Sequence, residues 1–328
     1  MTSRPDLPVL AQDTWRRFLE TCEPSRTDLY RYCRGLTRSP WDAEDLVQDT
    51  LARAFVTLAQ MHGQEPPNPR AWLFRIASNL WIDQRRRSRE VQLEPLEPAG
   101  AHAGEPRAQR EAAGTLLGAL APRERAAVVL KDVLDLSLAE IAAALGTTVG
   151  AVKAALHRGR GKLGDPPPPE KVAAPSPAVL DAFCAAFDAG DIGRLKALLL
   201  DTVVVEVVGA STFYGPDAAR NVLGGMLFGF RRLAEPGARA SYDDRFADGA
   251  LTHEAPRVEP RLHRGRWLLL HWYRHVDGEA VRAVTTLEVE GEGVAHLRNY
   301  FFNPDLLLDL GAELDVPVKV NGHRWWTP

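Results

Sequence analysis

Leu138–Leu163 reads LAEIAAALGTTVGAVKAALHRGRGKL, and the rest of the chain is best read outward from it. Leu138, Ile141, Ala142 and Leu145 fall at i, i+3, i+4 and i+7, one apolar face of a helix. Gly146 ends that helix, and Thr147 or Thr148 is placed to cap the next. Val149, Val152 and Leu156 give the second helix its apolar stripe. Two short helices joined by a tight glycine turn predict a helix-turn-helix. The second helix carries Lys153, His157, Arg158 and Arg160, with no acid between Gly150 and Leu163. Small side chains at Ala151, Ala154 and Ala155 let such a helix approach a phosphate backbone and enter a major groove. The plainer alternative is a helical hairpin with a solvated basic face.

The chain has 328 residues, enough for two or three domains, and 45% of them are hydrophobic. Its formal charge of −3 hides an asymmetry. Through Gly164 there are 23 basic against 20 acidic residues, and beyond it 17 against 23, so a nucleic-acid role belongs to the front. Cys22, Cys33 and Cys184 are too scattered for a disulfide framework or a metal site, and no cofactor motif stands out. No apolar run approaches a membrane span, and the first residues lack a signal-peptide pattern, so a cytoplasmic protein is expected.

Upstream, Thr14–Thr37 reads as helix interrupted near Pro24 and Ser25. Ser39-Pro40 then opens a helix over about Trp41–Ala59. Asp42, Glu44, Asp45 and Asp49 crowd its first half around Gln48. Acids suit a helix N-terminus, but four within eight residues also suit a face for a basic partner. A proline-rich loop precedes a helix over about Ala71–Arg89. Leu73, Ile76, Ala77 and Leu80 form its core stripe, Arg75, Asn79, Asp83 and Arg86 another face, and Arg85, Arg86, Arg87 and Arg89 a basic end. Aromatics beside a basic helix suit unstacked single-stranded DNA as well as simple helix capping. Glu90–Arg110 has no period and reads as a linker. Helicity resumes over Gln109–Leu120 and again from Pro122, and Ser137 with Glu140 forms a capping box ahead of the helix-turn-helix.

Pro166–Pro169 and Pro175–Pro177 mark a semi-rigid spacer. Beyond it, helices are predicted over Val179–Leu200 and Pro216–Phe230. Strands are predicted over Thr202–Val208, Ala238–Phe246, Arg266–Arg274, Ala280–Val289 and Val294–Phe302. Helices followed by a meander predict an α+β domain. The expected division is 1–90, a linker 91–110, 111–165, a proline spacer 166–177, and 178–328.

Two motifs then carry a family resemblance. Trp41–Thr50 (WDAEDLVQDT) with Ala71–Asn79 (AWLFRIASN) resembles region 2 of bacterial sigma-70 factors of the extracytoplasmic-function group. Leu120–Arg125 (LAPRER), Ala139–Gly146 and Val149–Lys153 resemble their region 4. From about Pro177 the chain resembles a SnoaL-like domain of the NTF2-like fold. Asn299–Asp305 (NYFFNPD) matches a segment found in sigma factors with this extension. Their glycine-rich motif is replaced here by Val208–Tyr214 (VGASTFY), which marks a divergent subgroup.

The resemblance implies two all-α domains, region 2 and a helix-turn-helix region 4, followed by an α+β cone. It implies core RNA polymerase (β′ clamp and β flap) and promoter DNA as partners, with a monomer when free. Asp45, Gln48 and Asp49 would dock on the clamp. Trp72, Arg75 and Asn79 would trap bases of the melted minus-ten element, and Arg85, Arg86, Arg87 and Arg89 its phosphates. Thr147, Thr148, Lys153, His157, Arg158 and Arg160 would read the minus-thirty-five element. Asn303, Pro304 and Asp305 would take part in regulation by the C-terminal domain acting within the same chain. The alternative is a helix-turn-helix regulator whose cone senses a ligand or acts as an enzyme, with His253, His271, Asp243, Asp244, Trp267, Trp272 and Tyr273 around its cavity. Against catalysis, Trp267, Leu269, His271 and Tyr273 alternate as a packing row does. The tail with Val316, Val318, Trp325 and Trp326 is too apolar to stay free and is expected to pack on the cone or on the front half.

Overall fold

The computed structural model describes residues 7–61, 64–91, 120–161, 178–233 and 254–323. The linker after Val91, residues 109–119 of the helix expected at Gln109–Leu120, the proline spacer, the strand expected at Ala238–Phe246, His253 and the two terminal tryptophans lie outside them. The chain divides into two compact units, Met1–Glu170 and Lys171–Pro328.

The first unit is all helical. Helix α1 (Leu7–Cys22) passes through a 3-10 turn at Glu23–Ser25 into α2 (Arg26–Thr37). Helix α3 (Pro40–Gln60) and α4 (Pro69–Val91) complete the front module, and α5 (Pro122–Val128), α6 (Leu138–Ala144) and α7 (Val149–Gly161) the second. Proline stands first in α3, α4 and α5, where its fixed φ suits the turn and its missing N–H leaves no bond unmade. Ser39 and Asn68 cap α3 and α4 by accepting from the N–H of Asp42 and Ala71. The front core gathers Leu29, Tyr32, Leu36, Leu46, Leu73 and Phe74, all at most 1% exposed. Tyr32 Oη and Ser78 Oγ meet at 2.7 Å, so the buried phenol is satisfied, and burial raises its pKa.

The second unit holds α8 (Ala178–Asp188), α9 (Ile192–Ala197), α10 (Pro216–Leu233) and α11 (Pro304–Leu314). Its strands are β1 (Leu199–Val207), β2 (Ser211–Tyr214), β3 (Arg257–His263), β4 (Arg266–His275), β5 (Gly278–Glu290) and β6 (Gly293–Asn299). They form one sheet in the order β2-β1-β6-β5-β4-β3, antiparallel except for the pair β1 and β6. This is the α+β architecture that the resemblance implies. Phe183 and Phe187 of α8, Leu223 of α10, and Leu269, Val205 and Leu297 of the sheet share one core.

Several boundaries differ from the periodicity. The helix expected to reach Leu200 ends at Ala197, and β1 begins at Leu199, where backbone pairing to β6 takes over. Periodicity predicts no strand at Arg257–His263 because Pro260 interrupts it. The strand forms because β3 lies at the sheet edge, where a missing N–H costs no ladder bond. The two-residue loop Arg264-Gly265, with φ of 49° and 74°, is the primed turn that closes β3 onto β4.

Residues 280–286 of β5 are buried without a break, which requires cover on both faces of the sheet. Part of that cover is α11, and part is the segment after it. Val318 bridges Val281 in parallel; Val281 N–H donates to Pro317 O at 2.9 Å and Lys319 N–H to Val281 O at 3.0 Å. The segment thus closes the edge of β5 that β6 leaves open, as its apolar residues lead one to expect. Its approach to α11 needs Gly311, since a Cβ there would lie 2.4 Å from Val318 Cγ2.

Candidate nucleic-acid interface

The helix-turn-helix forms as its residues dictate. Ser137 and Glu140 make the reciprocal capping box, at 2.8 and 3.2 Å. Gly146 takes φ +58°, Thr147 N–H donates back to Ala142 O at 2.9 Å, and Thr148 is the cap, its Oγ1 accepting from Ala151 N–H. The two helices meet at 97°. Val152, Ala155 and Leu156 are the buried stripe of α7, whereas Val149, expected inside, is exposed in the first turn. Gly159 is buried because α5 crosses there: a Cβ would lie 2.9 Å from Val128 Cγ2.

Thr147, Thr148, Lys153 and His157 are exposed. Lys153, His157 and Arg160 share a face and, with Lys131, rim an open groove of about 590 Å³ floored by Leu138 and Leu156. Two of the expected DNA contacts have partners inside their own module. Arg158 Nε donates to the buried carboxylate of Glu124 at 3.1 Å, and Arg160 pairs with Asp132. Both guanidiniums remain more than half exposed, so they tie α7 to α5 and to the turn at Val129–Val133 without losing access to solvent.

On α4, Trp72 is half-buried and Arg75 and Asn79 are exposed, one face at i, i+3 and i+7. Arg85, Arg86 and Arg87 are exposed at the basic end, with Arg85 stacked at 5.9 Å from Trp81; the side chain of Arg89 lies outside the described set. On α3, Asp45 and Gln48 are half-buried and Asp49 is exposed, again one face. Glu44, grouped with them by sequence, is only 3% exposed and accepts from Gln48 Nε2 at 2.6 Å, so it orients Gln48 and presents no charge outward.

Sequence reasoning missed the contacts that join the two modules. Arg125, read only as a first-turn residue, is 4% exposed. Its Nη1 donates to Leu36 O at 2.8 Å, and its guanidinium lies 5.1 Å from the Trp81 ring centroid. Burial first, then Arg38 and Arg85, push its pKa down to about 10. Val129 fills the space that a side chain at Gly35 would need, 2.6 Å from its Cβ position. Arg75 lies over the turn itself, with Nη2 3.5 Å from where a Gly146 Cβ would sit. The available signal was Arg125 preceding Val128 and Val129 at helical spacing, a cation on an apolar face.

In the second unit the candidate acid–base residue His271 is a core group. It is 1% exposed, its Nε2 is 2.8 Å from Thr285 Oγ1, and its ring meets Phe187 edge-on at 4.9 Å. Burial pushes its pKa down to about 3. Asp243 and Asp244 lie outside the described residues. A histidine held neutral stabilises the fold above its unfolded pKa of about 6.5, and that contribution is lost as pH falls toward 3. The stability of the C-terminal domain should therefore fall by roughly 2 kcal/mol between pH 7 and pH 5 from this ring alone. Urea titrations at the two pH values check this, and a dependence unaltered in His271→Gln would refute it. Asn303, Pro304 and Asp305 start α11: Asn303 is its N-cap residue, Pro304 its first, and Asp305 lies 3.6 Å from His323 Nε2.

Comparison with known proteins is decisive for the first unit. The sigma-70 region 2 family matches residues 23–91 and the sigma-70 region 4 family residues 110–163. The RNA polymerase sigma-E factor of Streptomyces coelicolor is 34% identical over 149 residues, which span 44% of this chain and 83% of that protein. The chain belongs to the extracytoplasmic-function sigma-70 family. The ECF RNA polymerase sigma factor SigG of Mycobacterium tuberculosis is 34% identical over 247 residues, 62% of this sigma chain; the chain spans 66% of the length of SigG. The crystal structure of M. tuberculosis SigJ, 24% identical, aligns over 88% of this chain and 98% of that one with a TM-score of 0.31. The front module is thus region 2 and the helix-turn-helix module region 4. No helix of the described residues is by itself long and apolar enough to cross a membrane.

Proposed function

We propose that this sigma factor binds core RNA polymerase and directs it to promoters, region 2 opening and reading the minus-ten element and region 4 the minus-thirty-five element. The observation that carries this is one helical unit with both matched regions, an acidic face on α3 and basic faces on α4 and α7. Asp45, Gln48 and Asp49 on α3 are the surface for the polymerase β′ clamp, and region 4 offers its own face to the β flap. Trp72 and Asn79 are placed to hold bases out of the stack, which costs a few kcal/mol that stacking and hydrogen bonds must offset. Lys153 and His157 reach DNA first in region 4, because Arg158 and Arg160 already neutralise Glu124 and Asp132. The C-terminal cone is a built-in regulator rather than an enzyme. That reading is supported by a histidine committed to packing and by a carboxy-terminal segment that completes the sheet. The factor acts in the cytoplasm, as a monomer until it meets polymerase.

The test separates a sigma factor from a plain DNA-binding repressor. Asp45→Ala with Asp49→Ala is expected to weaken core-polymerase binding at least tenfold. A repressor would keep full promoter occupancy without polymerase, and unchanged polymerase binding in the double variant would remove the sigma reading of this face.

A further inference from the structure

We propose that Glu124 of α5 is a positioning residue for the minus-thirty-five element. It holds Arg158 of α7 by the Nε edge and aims the forked end of that guanidinium at one base pair. This deepens the sigma-factor reading and rests on it. The Glu124 side chain is buried, with the residue 5% exposed, and its carboxylate ties two elements together. Oε2 accepts from Ala121 N–H at 3.2 Å, closing the start of α5, and Oε1 accepts from Arg158 Nε at 3.1 Å. The backbones beneath are fixed as well. A Cβ at Gly159, next to Arg158, would lie 2.9 Å from Val128 Cγ2 and 3.6 Å from both Glu124 Cβ and Glu124 O, so α7 rests on α5 at this point.

The two arginines that flank Gly159 are held in different ways. Arg160 gives Asp132 both its Nε and its Nη2, so that edge is spent on fastening α7. Arg158 gives Glu124 its Nε, and among the described residues neither of its Nη atoms is hydrogen-bonded. Its side chain stays 58% exposed. The end that remains carries Nη1 and Nη2, two donors side by side, and these match the O6 and N7 acceptors that guanine presents in the major groove. An arginine held in place beforehand loses little rotamer freedom on reaching DNA, and the direction in which it is held decides which base pair it meets.

Glu124→Gln isolates this role. A glutamine oxygen still accepts from Ala121 N–H, as capping boxes allow, but Arg158 loses its charged acceptor. Followed by nitrogen NMR of the full chain, the Arg158 Nε–H should exchange with water about tenfold faster in the variant. An unchanged rate, which needs no polymerase to measure, would overturn the positioning. The functional arm uses core polymerase carrying the full chain and a pool of duplexes randomised over the minus-thirty-five element. Arg158→Ala should relax the base preference at one position. Glu124→Gln should relax that same position by about fivefold or more, with the other upstream positions and the minus-ten preference as in wild type. An even loss of affinity across all sequences would mean a phosphate contact or a carboxylate that serves structure alone, and would overturn the proposal, as would an unchanged preference. Should Glu124→Gln fail to fold, Glu124→Asp, which keeps the charge one methylene short of Arg158, is read in the same way. Unfolding of both would assign the carboxylate to stability and overturn the proposal. A wild type that selects no upstream element, beside a slowly exchanging Arg158 Nε–H, would count against the sigma reading and leave the positioning standing.

Discussion

Replacing Arg282 with Ala is expected to destabilise the C-terminal domain by about 2–6 kcal/mol, since two buried acceptors lose their donor at ~1–3 kcal/mol each. Arg282 is 2% exposed and lies where β5 passes under the carboxy-terminal segment. Its Nε donates to Asn321 Oδ1 at 2.8 Å, and Nη1 meets His275 Nε2 at 3.1 Å. Asn321 Nδ2 in turn donates to Arg282 O and to Phe301 O. One side chain therefore fastens residues 316–323 to the sheet. Without it, Asn321 keeps a buried carbonyl oxygen with no donor, and β5 regains an open edge. Burial, then Arg282 and Lys319, hold His275 down to about 4, so the ring is a neutral acceptor for the guanidinium. Denaturant unfolding of the full chain measures the loss. Hydrogen exchange should show residues 316–323 opening first. Stability within 1 kcal/mol of wild type would mean that packing of Val318 and Val320, not the guanidinium, holds the segment. Because the cone is proposed as the regulator, the variant should also change transcription in vitro.

Arg85→Ala, Arg86→Ala and Arg87→Ala together should lower promoter affinity by about ten- to a hundredfold near physiological salt. They should reduce the slope of log affinity against log salt by about 2. The three guanidiniums are exposed on the last turns of α4, where they also complement the helix dipole. Exposure matters to the size of the effect. Phosphate contacts release condensed counterions, so each guanidinium that reaches the backbone adds to the slope. An unchanged salt slope in the triple variant would place the DNA elsewhere on region 2.

Much of this molecule is legible in its residues because the information is local. The capping box at Ser137 and Glu140, the left-handed Gly146, the cap at Thr148 and the prolines opening α3 and α5 each act within one turn of backbone. The resemblance motifs then give region 2, region 4 and the cone, with the acidic and basic faces assigned by helical spacing alone. Reading fails where a residue's role depends on a distant partner. Glu44 looks like one acid among four and is buried beneath Gln48. His271 looks like an acid–base candidate and is a core ring bonded to Thr285. Strand β3 is hidden by Pro260, which only an edge position permits.

The helix-turn-helix at Leu138–Leu163 was fixed by sequence, since spacing, caps and turn chemistry all act over a few residues. Its seat against region 2 was not. That depends on Arg125 and Val129 meeting Leu36, Trp81 and Gly35, which lie 44–94 positions away. Likewise an apolar tail is visible in composition, but its place on β5 follows from where β6 leaves an edge unpaired. Local rules set which elements form. Burial and unsatisfied backbone, which exist only once the chain is folded, decide what each element covers.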